Sequence, residues 1–108
     1  MTPEPQELTV GDAVLTVRER NIGVVYAVDP AGSGRFSVSV LLSDGTDAGS
    51  YSPGQADELL QRLGPTGVTY SFHSAMRLRR DWQSGYFKQA FATARLLAGF
   101  VDPDLLGT

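Results

Sequence analysis

Apolar positions recur every second residue in the first half of this chain and every third or fourth residue in the second half. A period of two marks strands and a period near 3.6 marks helices, so the pattern predicts a sheet followed by helices. The first strand is expected where Ala13, Leu15 and Val17 alternate with Val14, Thr16 and Arg18, after a turn at Val10-Gly11-Asp12. Gly23–Val28 is rich in β-branched and aromatic residues and ends on Asp29-Pro30, a turn signal. Ala31-Gly32-Ser33-Gly34 then reads as a hairpin tip. In the next strand Phe36, Val38, Val40 and Leu42 are expected to face a core, with Ser37, Ser39 and Ser43 on the other side. Asp44-Gly45 is a tight-turn dipeptide, and a short strand through Gly49-Ser50-Tyr51 closes the series.

Helical signals begin at Ser52-Pro53, an N-cap followed by the residue best suited to the first helical position. Asp57 and Glu58 favour the early turns, Leu59, Leu60 and Leu63 form the apolar side, and Gly64-Pro65 ends the helix. Val68-Thr69-Tyr70 reads either as an added strand or as a connector. Ser71 is the expected cap of a last helical region from Phe72 to Gly99, ended by Asp102-Pro103. Laid out at 100° per residue, Leu78, Trp82, Tyr86, Ala90, Thr93, Ala94, Leu97 and Phe100 share one side. Ser84-Gly85 leaves open whether this region is one helix or two, because an interior glycine costs about 1 kcal/mol relative to alanine.

Strands first and helices second give an α+β fold: a small antiparallel barrel or curled sheet, followed by C-terminal helices. At 108 residues one domain is expected, with a flexible leader at 1–8, a β-rich half at 9–51, a helical half at 52–101 and a tail at 102–108. The chain contains no cysteine, which excludes a disulfide framework, a thiolate metal site and a cysteine nucleophile. Met1–Thr9 has neither the basic nor the apolar region of a secretion signal, and no apolar run nears the roughly 20 residues of a membrane span. A cytoplasmic location is expected. The net charge of −3 is divided unevenly. Residues 1–60 hold nine acids against three arginines, whereas residues 61–108 hold six basic residues against three aspartates.

The Gly11-Asp12-x-Val14 opening, the strand led by Gly23 and the Asp44-Gly45 hairpin resemble SH3-like small β-barrels of the KOW or Tudor kind. The resemblance covers about residues 9–60. It implies a module that binds RNA, DNA, peptides or larger assemblies through aromatic residues near its strand ends. Tyr26, Phe36 and Tyr51 match such places, but the dense aromatic cluster of a methyl-lysine cage is missing.

Signals for catalysis are sparse. His73 is the single histidine, so one chain cannot supply two imidazoles to a metal. The aspartates at 12, 29, 44 and 47 fall in turns, where local hydrogen bonding accounts for them. No Gly-x-Ser-x-Gly elbow is present, and Gly32-Ser33-Gly34 lacks the lysine and following helix of a phosphate loop. Neither a cofactor nor a metal is expected. Binding residues are better represented. If Phe72–Gly99 were one helix, Arg77, Arg80, Lys88 and Arg95 would lie within about 60° of one direction, a stripe able to track phosphates. Trp82 is expected in the core, whereas Tyr26, Tyr51, Phe87 and Phe91 are candidates for a partner surface. The leading expectation is a non-enzymatic interaction module for a protein partner or a second copy of itself. A nucleic-acid module using the basic stripe is the alternative, and a small hydrolase built around His73 is a distant third.

Overall fold

The computed structural model describes residues 8–32 and 34–105. Its elements are β1 (Asp12–Thr16), β2 (Ile22–Gly32), β3 (Arg35–Leu42), β4 (Asp47–Tyr51), α1 (Pro53–Leu59), β5 (Leu60–Pro65), α2 (Ala75–Gln83) and α3 (Lys88–Val101), with a 3₁₀ turn at Pro103–Leu105. The five strands form one antiparallel sheet in the order β4-β3-β2-β1-β5. The fold is α+β, sheet first and helices mostly after it. The sheet is open, with β4 and β5 as its edges, rather than a closed barrel. The helix α1 touches β3, β4 and β5 and so bridges the two edges.

Both faces of the sheet are covered. On one face Val14, Val25, Val38 and Val40 pack with Leu8, Leu60 and Ala56 of α1. On the other, Tyr26 and Leu41 meet Leu78 of α2 and Phe87. Tyr26 sits where β2 slips register against β3, between the pairs Val25–Val40 and Ala27–Ser39, and this bulge aims its side chain at the helical layer. Ala90, Ala94 and Ala98 recur every four residues along α3 and are fully buried, which lets the helix approach β1, β2 and β5 closely.

Several expectations are corrected. The helix opened by Ser52 stops at Leu59, and Leu60–Pro65 is a strand paired with β1 inside the stretch read as helical. Leucines at 59, 60 and 63 satisfy a helical period, but the long-range pairing with β1 decides the conformation. Asp29-Pro30 does not end β2. The strand runs on to Gly32 beyond the reach of β1, which pairs only with residues 22–24. There Pro30 has β3 as its sole neighbour, so its missing N–H interrupts no second ladder. Phe36 pairs with Pro30 on this projecting hairpin and is exposed rather than facing a core. Leu41, expected on neither face, is instead fully buried in the second cluster.

The last helical region is two helices. Gly85, at φ +89°, turns the chain between α2 and α3. Ser74, not Ser71, caps α2, its hydroxyl accepting from the Arg77 N–H at 3.1 Å. Val68-Thr69-Tyr70 is a connector, and Tyr70 joins the core. Leu8, read as leader, is buried; residues 1–7, Ser33 of the hairpin tip and residues 106–108 of the tail lie outside the described residues. Asp102 tethers the C-terminal end by an ion pair with Arg20. No described helix is long and apolar enough to cross a membrane.

Candidate functional site

A groove of about 640 Å³ separates the turn between β3 and β4 from the flank of α2. Its turn wall is set by local hydrogen bonding. The Gly45 N–H donates to Leu42 O at 2.9 Å, Leu42 N–H donates to Thr46 O at 2.8 Å, and Thr46 N–H donates to Asp44 Oδ1 at 2.9 Å. Gly45 has φ +90°, and a Cβ built there would lie 2.9 Å from the indole of Trp82. Only glycine suits this position, on conformation and on space alike. The indole therefore rests against bare backbone, and its position depends on the turn.

The opposite wall follows from the helical repeat of α2. Leu78 is buried beneath the helix and fixes its rotation. Trp82, four residues later, lies on nearly the same face and is half-buried, while Ala75, Met76, Arg79 and Gln83 line the groove around it. Met76 is 77% exposed. Between the walls, Asp47 ties the turn to the sheet: its Oδ1 accepts from the Tyr26 hydroxyl and from Gly49 N–H, each at 2.9 Å. Burial, with the Asp47 acceptor second, pushes the Tyr26 phenol well above its ordinary pKa, so it remains a donor. The arrangement is an apolar floor of Leu41, Leu78 and Trp82 with carboxylates on one rim and a guanidinium on the other.

Behind α2, the Tyr70 hydroxyl donates to Asp81 at 2.5 Å and the Tyr86 hydroxyl donates to Thr69 O. Burial first, and then the bond to Asp81, raise the Tyr70 phenol from 10.0 to about 12. The folded state thus keeps a proton that the unfolded chain releases above pH 10. This part of the stability should be intact below pH 10 and lost as pH rises to about 12. Urea midpoints measured between pH 9 and 12 should fall more for the native chain than for Tyr70→Phe. Equal slopes would remove Tyr70 from the account.

The residues expected to carry function are dispersed. Arg77 and Arg80 are on α2, Lys88 and Arg95 on α3, and the turn at Gly85 breaks the single helix that would have aligned them. All four are exposed, and none forms an ion pair among the described residues. The expected aromatic surface is largely core. Phe87 is 1% exposed and Tyr26 4%, while Tyr51 and Phe91 are half-buried against the two clusters. Phe100, placed on the apolar side by a continuous period, is 84% exposed. His73 lies on the surface just before α2, outside the groove lining. Among the described residues no three His, Asp or Glu side chains gather as a metal would require. In the sequence Asp44 and Asp47 read only as turn residues, and Met76 and Arg79 carry no functional signal. Nothing local links the Asp44-Gly45 dipeptide to Trp82, because 36 residues lie between Gly45 and Trp82. No protein-family model, curated protein or solved structure matches this chain.

Proposed function

We propose that this chain is a non-enzymatic interaction module that receives a segment of another protein in the groove between the β3–β4 turn and α2. The observation that carries this reading is the pairing of a half-buried tryptophan with a methionine that is 77% exposed, across a floor of leucines. Indole and thioether surfaces of this kind fill and adapt to a partner's apolar side chains, and Trp is enriched where binding energy concentrates. Charged groups stand on the rims rather than the floor, the arrangement found in interfaces with an apolar centre and a wet edge. The SH3-like resemblance of residues 9–60 is part of this proposal, since such modules bind peptides, although here α2 supplies half of the site.

Selection from a displayed library of random peptides tests it. Enriched peptides should bind the native chain, change the emission of Trp82 and lose binding to Met76→Glu, a substitution at an exposed position that leaves the fold intact. A library without enriched binders overturns the reading.

A nucleic-acid role is the second reading, favoured by one observation. Arg77, Arg79 and Arg80 project from a single nine-residue helix with no ion pair among the described residues. It predicts oligonucleotide binding, read by fluorescence anisotropy, that falls steeply with salt and weakens in an Arg77→Ala/Arg80→Ala double variant. Absence of binding at low salt reduces these arginines to a solvated helix face.

A further inference from the structure

The two rims of the groove carry opposite charge in unequal amounts. The turn contributes Asp44 and Asp47, and α2 contributes Arg79. Asp44 accepts the backbone N–H of Thr46, which holds its carboxyl below the ordinary carboxylate range and keeps it ionised. At Asp47 the bonds from Tyr26 and Gly49 both end on Oδ1, and Oδ2 has no partner among the described residues. Arg79 forms no ion pair among the described residues, so it does not neutralise either carboxylate. The site therefore offers a net negative rim and an apolar floor within one groove.

We infer, resting on the interaction reading above, that the occupant is an extended peptide segment in which a lysine or arginine alternates with an aliphatic residue. Its cationic side chain meets Asp44 and Asp47 across the turn, and its aliphatic side chain lies on Trp82 and Met76. In extended chain neighbouring side chains point to opposite sides and advance about 3.3 Å per residue, so one strand of peptide can address rim and floor together. Arginine fits the two-carboxylate rim better than lysine, because its planar fork donates to two acceptors at once.

Trp82 is the only tryptophan, so its emission reads the groove without a label. The full chain is titrated with three acetylated, amidated hexapeptides in which leucine alternates with arginine, glutamine or glutamate. The arginine peptide should give a saturable change and bind about tenfold more tightly than the glutamate peptide, the difference shrinking at about 0.5 M salt where charges are screened within a few ångströms. Asp44→Asn should weaken the arginine peptide about threefold, an effect of the size expected for one exposed ion pair. The turn survives that change, because Asn-Gly suits it as well as Asp-Gly. Arg79→Ala should strengthen the same peptide. Equal binding of the arginine and glutamine peptides, with Asp44→Asn silent, overturns the cationic occupant while the interaction reading stands. Preference for the glutamate peptide also overturns it and hands the charge selection to Arg79. No emission change with any of the three, together with a library that yields no binders, overturns both.

Discussion

Replacing Phe87 by alanine is expected to destabilise the chain by about 3–5 kcal/mol, the range for truncating a buried phenylalanine. The ring is 1% exposed and stands between the sheet and both C-terminal helices. Its centroid lies 5.0 Å from that of Tyr70, 5.2 Å from Tyr86 and 6.4 Å from Phe91. Truncation empties the space where Tyr26, Leu41 and Leu78 converge, and those side chains belong to two strands and one helix that cannot all move inward together. A loss of this size is a large share of the roughly 5–15 kcal/mol that holds a small domain folded. Thermal unfolding should shift down by at least about 12 °C. Phe100→Ala is the matched control: the ring is 84% exposed, and stability should change by less than about 0.5 kcal/mol. Similar midpoints for the two variants would refute the assignment of Phe87 to the core.

Gly11→Ala should cost about 3 kcal/mol or more, and for a reason unrelated to cavities. The residue has φ +93°, which a side chain strains, and an added Cβ would lie 2.3 Å from the backbone oxygen of Val68. Backbone cannot swing aside as a side chain can. Gly11 is also a junction: its N–H donates to Val25 O at 2.9 Å, and its oxygen accepts from Thr66 N–H at 3.0 Å and from Thr66 Oγ1 at 2.5 Å. Relieving the contact therefore disturbs the start of β1, the middle of β2 and the loop after β5 at once. At about 1.5 kcal/mol per molar urea, the midpoint should fall by roughly 2 M. Gly54→Ala makes the comparison sharp. That glycine lies in α1 with nothing near its missing Cβ, so alanine there should stabilise by about 0.5–1 kcal/mol. If both substitutions move the midpoint the same way, the close approach at Gly11 is not what fixes it.

Local signals in the sequence proved reliable where the structure they encode is local. Ser52 caps α1 through a reciprocal pair with Gln55, and Asp44-Gly45 makes the turn that its composition implies. The edge of reliability was sequence distance. The strand at Leu60–Pro65 is decided by β1, some 45 residues earlier, and nothing in its own leucines distinguishes it from a helical turn. The error at Phe87 and Phe100 has a single origin. One continuous helical period was carried across Gly85, whereas the left-handed turn there restarts the phase. With the phase restarted at Lys88, the alanines at 90, 94 and 98 face the sheet, Phe100 rotates outward, and Phe87 falls into the space between α2 and α3. The groove was out of reach for a related reason: its two walls come from opposite halves of the chain, and each residue on them has an ordinary local role.

The place of β1 in the sheet bears on the order in which the protein can be completed. This strand is buried at every position and is flanked by β2, which follows at once, and by β5, which ends at Pro65. During synthesis β1 and β2 can pair as soon as both have left the ribosome. The other side of β1 then stays a bare ladder of N–H and C=O groups until β5 arrives. Over the same interval Asp12, 3% exposed in the finished fold, lacks the guanidinium of Arg62 that bonds to it at 3.1 Å. A chain stopped before residue 60 would thus carry an unpaired strand edge together with a carboxylate that keeps the Thr9 N–H but lacks its cation, the first inviting aggregation and the second opposing collapse. Of the strands in this sheet, the first to be made is the last to be finished.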